Sequence, residues 1–222
     1  MRRTLFSLAL LAGPLLAAEP AQPQDLIVAQ DASGEFSGWK SFHEGDGVRT
    51  GDVWRLADGV LSCQGRPKGY LYTEKQYTNF VLELDWRWPP GKKPGNGGVL
   101  VRITGKNQLW PKSLEAQINV PDAGDLWALA GFQLTGPAGR TKSLDHPQLG
   151  HLTNVKKTTN AENPPGQWNH YKIVLDGPTV ILTINGQVVN QVTGCEVVPG
   201  HICLTAEGDA IQFRNVRLTP RD

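Results

Sequence analysis

KSLEAQINV, residues 112 to 120, alternates without a break: Leu114, Ala116 and Ile118 fall at one parity, Glu115, Gln117 and Asn119 at the other. Successive side chains of a β-strand point to opposite faces, so this segment reads as a strand with one apolar face on a core. The other face is then either wetted by solvent or the floor of a site that contains Glu115.

The same period recurs along the chain. FVLELDWRW (80–88) sets Leu82, Leu84, Trp86 and Trp88 against Glu83, Asp85 and Arg87. GGVLVRIT (97–104) sets Val99, Val101 and Ile103 against Leu100, Arg102 and Thr104. HYKIVLDG, TVILTINGQVVNQV, HICLTAEG and AIQFRNVRLT continue the series to residue 219. Asp58-Gly59 and Asn185-Gly186 each lie between two apolar runs, the signature of a tight hairpin. No segment holds a helical period, and helix is expected only briefly, around AGDLWALAG (123–131). Many short strands without βαβ alternation specify an all-β sandwich or barrel. Gly136 to Pro165 is polar, rich in turn residues and aperiodic, so it reads as a long irregular loop, functional or disordered.

The chain opens with MRRTLFSLALLAGPLLAAEP: a basic start at Arg2 and Arg3, an apolar run from Leu5 to Leu16, and small residues at Ala17 and Ala18. That order is a secretory signal peptide over 1–18, followed by a Pro/Gln-rich lead over 19–35 and a single domain over 36–222. The expected location is periplasmic or secreted, with no membrane contact after signal cleavage. The 22 basic and 21 acidic residues nearly cancel and form no basic run, which removes the electrostatic case for nucleic acid. Three cysteines do not match a zinc spacing or a disulfide scaffold. Export permits one bridge, for which Cys195 and Cys203 are the better pair with Cys63 as a buried thiol; no bridge at all is the alternative.

Glu83, Asp85, Arg87, Arg102, Glu115, Gln117, Glu207, Gln212 and Arg214 share the polar parity of their strands. Such residues are routine on a solvated outer sheet face. This set, however, holds no lysine, and five of the seven tryptophans lie near it: Trp86, Trp88, Trp110, Trp127 and Trp168. Indole faces and paired Arg, Glu and Gln hydrogen bonds suit a polyol ligand. Trp86 and Trp88 share the apolar parity and read as packing, so Trp110 and Trp127, beside turn residues, are the rim candidates. Residues two apart on one strand are separated by about 7 Å and cross-strand neighbours by about 5 Å. Either spacing allows Glu83, Asp85 or Glu115 to form a carboxylate pair for glycoside chemistry.

VWRLADGVLSCQGRPKGYLYTEKQYTNFVLELDWRW, GNGGVLVRI, SLEAQI, PPGQWNHYKIVLDG, LTINGQVVN and AIQFRNVRL occur in an order that resembles the 3-keto-disaccharide hydrolase domain family, over about Phe36 to Leu218. The resemblance implies a concanavalin A-like jelly roll of two antiparallel sheets, and action on glycosides whose sugar is a ketone at C3. It also implies export in bacteria and an upstream sugar 3-dehydrogenase as supplier. The family's Asn-Ser-Gly element and following arginine fall on Asn96, Gly97, Gly98 and Arg102. Its Glu-x-Gln-Ile falls on Glu115, Gln117 and Ile118, its Gly-Glu-Trp-Asn on Gly166 to Asn169, and its Phe-Arg-Asn on Phe213, Arg214 and Asn215. Departures are Gly97 for serine, Gln167 for glutamate, and Leu204 to Gly208, which keeps Glu207 but loses a glutamine.

A C3 ketone acidifies the C2 proton, so a base can remove it and expel the C1 substituent, and water can then add to the enone. The expected assignment makes Glu115 the base, Arg102 the enolate stabiliser and Glu207 or Asp85 the acid. Gln117, Arg214, Trp110, Trp127, Lys157 and Asn96 are the expected substrate contacts, Lys157 also serving as a second candidate cation. No cofactor is implied; a divalent metal would stabilise an enolate, and Asp122, Asp125 and Asn119 offer oxygens, but VPDAGDLW is a plain turn sequence. The alternative class is a non-catalytic, lectin-like carbohydrate-binding domain, and a third is a scaffold without a sugar site.

Overall fold

Period-two burial builds the molecule. The computed structural model describes residues 21–221, so the expected signal peptide lies outside the described residues. In chain order the elements are β1 (Gln24–Asp25), β2 (Trp39–His43), α1 (Thr50–Val53), β3 (Trp54–Ala57), β4 (Val60–Cys63), β5 (Gly69–Thr73), β6 (Phe80–Arg87), β7 (Asn96–Thr104) and β8 (Lys112–Asn119). There follow β9 (Leu126–Leu129), a 3₁₀ turn (Ala138–Arg140), β10 (Thr141–His146), β11 (Gly150–Val155), β12 (Asn169–Asp176), β13 (Thr179–Ile184), β14 (Gln187–Val192), β15 (His201–Ala206) and β16 (Ile211–Pro220). One antiparallel sheet runs β14-β13-β12-β6-β16-β4-β3, with β1 on β16. The other runs β10-β11-β9-β8-β7-β15-β5-β2. The fold is the jelly-roll sandwich that the resemblance implies.

Between the sheets lies the main core, to which β6 gives Leu82, Leu84 and Trp86, β12 gives Tyr171 and Ile173, and β8 gives Leu114, Ala116 and Ile118. A second, smaller apolar cluster sits on the outer face of the second sheet: Tyr70, Leu100, Ile103, Leu129, Leu152 and Cys203, flanked by Trp110 and Trp127. That outer cluster gives β7 and β8 near-continuous burial on both faces. The expected lead is tied down: β1 pairs with β16, and the Trp39 indole donates to the Leu26 carbonyl at 2.6 Å. Asp58-Gly59 and Asn185-Gly186 both turn with positive φ between paired strands, as the hairpin signatures require.

Three expectations are corrected. AGDLWALAG holds strand β9 and no helix; its apolar residues fill a strand between β8 and β11. The expected loop 136–165 carries the β10–β11 hairpin at the sheet edge. Because β10 is largely exposed on both faces, it shows no apolar alternation to read. All three cysteines are free and buried, so Cys195 and Cys203 form no bridge. Burial raises each thiol pKa, to about 12 for Cys63 and about 11 for Cys195.

The polar parity that links Arg102 to Glu115 is broken by a bulge. Pairing of β7 with β8 slips between Val101 and Thr104, and Arg102 itself adopts φ 54°. Ile103 then takes the outer face, and the Arg102 guanidinium is fully buried elsewhere. It donates to the carbonyls of Glu196 (2.6 Å), Gly177 (2.7 Å) and Thr78 (3.1 Å), pinning three loops. Arg102→Met leaves those carbonyls short of a donor and is expected to cost about 3 kcal/mol or more in urea unfolding. Arg102→Lys, lacking the planar fork, is expected to recover only part of it.

Candidate active site

Glu115 sits mid-strand on the outer face of the second sheet, opposite Leu100 of β7 and Trp127 of β9. Its face is not wet: the residue is 4% exposed. The carboxylate lies flat over Gly98, where an added Cβ would stand 2.3 Å from Glu115 Oε1. Glycine is therefore required at Gly98, whereas a Cβ at Gly97 meets nothing closer than Ile211 Cδ1 at 3.4 Å. The serine-to-glycine departure falls where a side chain fits.

Glu207, one residue beyond β15, is the neighbour that makes Glu115 unusual. Its Oε2 accepts from Asn96 Nδ2 at 2.5 Å, while Oε1 is buried without a well-formed hydrogen bond. Asn96 is held in that orientation because its Oδ1 accepts from Gln117 Nε2 at 2.7 Å. Gln117 and Asn96, expected to touch substrate, thus form a relay that aims an amide N–H at Glu207. Burial first, and the Glu207 charge second, push Glu115 well above the usual carboxylate range. Burial also raises Glu207, but the Thr205 hydroxyl, the Trp110 indole and the Lys68 ammonium oppose it. Glu115 has no such donors, so of the two it is the carboxyl whose neutral form its surroundings favour more.

Trp110 walls the cleft beside Glu207 together with Lys68, Tyr70, Leu100 and Leu109, leaving about 10 Å³, room for a single water. The cleft opens past Lys68, Leu109 and Trp110 into a groove of about 560 Å³ that Glu44 and Arg66 also line. Lys68 Nζ lies 5.4 Å from the Trp110 ring centroid, and the site of a Cβ on Gly208 would be 3.3 Å from the Arg66 guanidinium. Asn107 ties the Trp110 loop down, bonding the hydroxyls of Tyr70 and Tyr72, each at 3.2 Å. Arg66 and Lys68 were not among the residues expected from sequence. They lie outside the alternating strands, in a turn before β5, and nothing in their spacing marks them.

The structure thus gathers Glu115, Glu207, Asn96, Gln117, Trp110 and Trp127 on one face and places the other candidates elsewhere. Arg102 is committed to carbonyls away from that face. Asp85 and Arg214 lie on the outer face of the first sheet, across the whole core. There Asp85 bonds Arg214 Nε (2.9 Å), His170 Nδ1 (2.9 Å) and Asn215 Nδ2 (2.8 Å). Burial raises Asp85, but these donors outweigh it and leave its pKa lowered, the wrong direction for an acid. Arg214 also stacks on Trp168, with Arg87 on the same ring. Lys157 Nζ closes the 121–125 turn through the carbonyls of Pro121 and Ala123 and pairs with Glu162 at 3.4 Å. The suggested metal oxygens are spoken for: Asp125 and Asp122 pair with Lys156 at 2.9 and 3.0 Å. Among the described residues no three His, Cys, Asp or Glu side chains gather as a metal site.

The family model described as the 3-keto-alpha-glucoside-1,2-lyase-like domain matches residues 27–219. No curated protein gives a sequence match. Among solved structures, a candidate glycosyl hydrolase from Parabacteroides distasonis superposes with TM-score 0.58 at 22% identity, covering 85% of this chain and 90% of that one. The carbohydrate-binding module CBM66 of Bacillus subtilis gives 0.55 at 12% identity (82% and 95% covered). A Bacillus licheniformis β-glucanase gives 0.55 at 12% (92% and 100%). At these identities the likeness is one of fold, shared by proteins with bond-breaking and with binding names.

Gly98→Ala drives a methyl into the Glu115 carboxylate and is expected to cost about 1–3 kcal/mol by chemical denaturation; Gly97→Ser, whose Cβ meets only ordinary contacts, is expected to cost less. Both carboxylates have folded pKa values above the unfolded value near 4.5. Their stabilising contribution is therefore fully present below pH 4.5 and is lost as pH rises through the folded values. Glu115→Gln removes that loss, so its urea midpoint should exceed the parent's at pH 8 and approach it at pH 4.

Proposed function

The chain belongs to the 3-keto-alpha-glucoside-1,2-lyase-like domain family, and from that premise we propose that it cleaves 3-keto-glucosides by elimination across C1 and C2. The observation that carries this reading is that Glu115 and Glu207 lie buried together in unlike surroundings, Glu207 accepting from Asn96 and Glu115 without a comparable donor. An elimination needs a base and an acid at the same moment, and one shared proton supplies both. A lectin has no use for such a pair, because hydroxyl recognition is served by carboxylates that are simply ionised.

The roles follow from the environments and reverse the assignment expected from sequence. Glu207, charged, is the base that takes the C2 proton. The electron pair left on C2 moves onto the C3 oxygen, where Lys68 is the cation in place to meet it. As the carbonyl reforms, C1=C2 closes, the C1–O bond breaks, and Glu115 gives its proton to the departing oxygen. Glu207 is then protonated and Glu115 ionised. Addition of water to C1 runs the two roles backward: Glu115 takes the water proton, Glu207 returns one to C2, and the pair is reset. Elimination alone gives the lyase outcome; elimination followed by hydration gives net hydrolysis.

With the Trp110 loop drawn back from a cleft that otherwise holds one water, an acid on Glu115 puts the leaving group on the β8–β9 side, against Trp127, and the ketone on the β5 side, toward Lys68. The exported location expected from residues 1–18 and an upstream sugar 3-dehydrogenase complete the reading.

Glu207→Gln is expected to lower kcat by about 10²–10⁴-fold on every 3-keto-glucoside, whatever the aglycone. Glu115→Gln should show a loss of that size with a poor leaving group such as methanol. With 4-nitrophenol, which needs no proton to depart, most of the rate should return. Equal losses on both aglycones for both variants would remove the assignment. In the parent, kcat/KM should fall on the acid side as Glu207 gains a proton and on the alkaline side as Glu115 loses one, a bell whose two limbs belong to the pair.

A further inference from the structure

We propose that His43 is a positioning residue: clamped between the Trp54 indole and the Pro67 carbonyl, it fixes the turn that carries Lys68 to the carboxylate pair. The proposal rests on the role given to Lys68 above.

His43 ends β2, the edge strand, and pairs with Gly69 of β5. Its Nδ1 lies 3.1 Å from the Pro67 carbonyl oxygen and its Nε2 lies 3.2 Å from Trp54 Nε1. A carbonyl only accepts and an indole N–H only donates. Nδ1 must therefore carry the hydrogen and Nε2 must be bare, which leaves one neutral tautomer that satisfies both partners. Burial supports the neutral form by lowering the imidazole pKa. Trp54 is fully buried and belongs to the first sheet, so the clamp runs from the main core, across the sheet edge, to the turn.

Two further contacts tie the turn to β2. The Glu44 amide donates to the Lys68 carbonyl at 2.8 Å. Gly69 admits no side chain, since a Cβ would stand 1.9 Å from the Phe42 carbonyl oxygen and 2.6 Å from His43 Nδ1. The Lys68 side chain leaves this fixed backbone to lie over Trp110 and beside Glu207. A displaced Pro67 carbonyl would move the lysine off the place where enolate charge develops.

The test is a double-mutant cycle with Lys68→Met, read as kcat and KM on a 3-keto-glucoside. His43→Phe, which keeps the ring but neither nitrogen, is expected to lower kcat about 10–100-fold with KM little changed. His43→Gln, with one amide donor and one acceptor, should recover most of the rate. In the Lys68→Met background His43→Phe should add less than about twofold. A full effect of His43→Phe in that background, or no advantage of Gln over Phe, would overturn the proposal. Nitrogen-15 NMR of the imidazole gives an arm that needs no turnover: hydrogen on Nδ1 supports the clamp, and hydrogen on Nε2 overturns it. If the parent chain is inert toward 3-keto-glucosides, the reaction fails first, and the catalytic purpose of the clamp falls with it even where the Nδ1–H tautomer is found.

Discussion

Burying Glu115 beside a second carboxylate is the unfavourable act around which the second sheet is organised. Burial disfavours the charged form of both, and the molecule answers by directing donors at one partner and leaving the other without them. Each neighbouring choice serves that division. Gly98 clears the space, Gln117 orients Asn96, Asn96 donates to Glu207, and the Trp110 loop narrows the cleft to the room of about one water. The outer apolar cluster is the lid of this arrangement, which explains why a strand that alternates like a surface strand is covered on both faces.

The sandwich itself is legible in the sequence because period-two alternation is a local signal, and β6, β8, β12 and β13 carry it with few exceptions, Val81, Val174 and Ile181. Hairpin turns at Asp58-Gly59 and Asn185-Gly186 are legible for the same reason: their chemistry lies in two adjacent residues. The edge hairpin β10–β11 is not, since a strand wetted on both faces leaves no apolar stripe. Half of the site is legible too. Glu115, Gln117, Glu207 and Asn96 stand out as polar residues on or beside strands, next to Trp110 and Trp127.

What the sequence hides is which polar residues share a face. Parity along β7 promises Arg102 to Glu115, and one left-handed residue at a bulge cancels the promise. Parity along β6 and β16 groups Asp85 and Arg214 with Glu115 only while the two sheets are not told apart; in the fold a core separates them. The cation that acts on Glu207, Lys68, comes from an irregular turn, where periodicity is silent and placement is decided by a proline carbonyl and a histidine remote in sequence.

The three unpaired cysteines have a consequence for how the chain matures. Sheet pairing and two apolar clusters hold the sandwich closed without any covalent cross-link, and each thiol is shielded and held in its unreactive protonated form. Folding is thereby uncoupled from the redox poise of the compartment: the chain needs neither an oxidant nor a disulfide isomerase, and the same native state is available in a reducing cytosol as in an oxidising envelope.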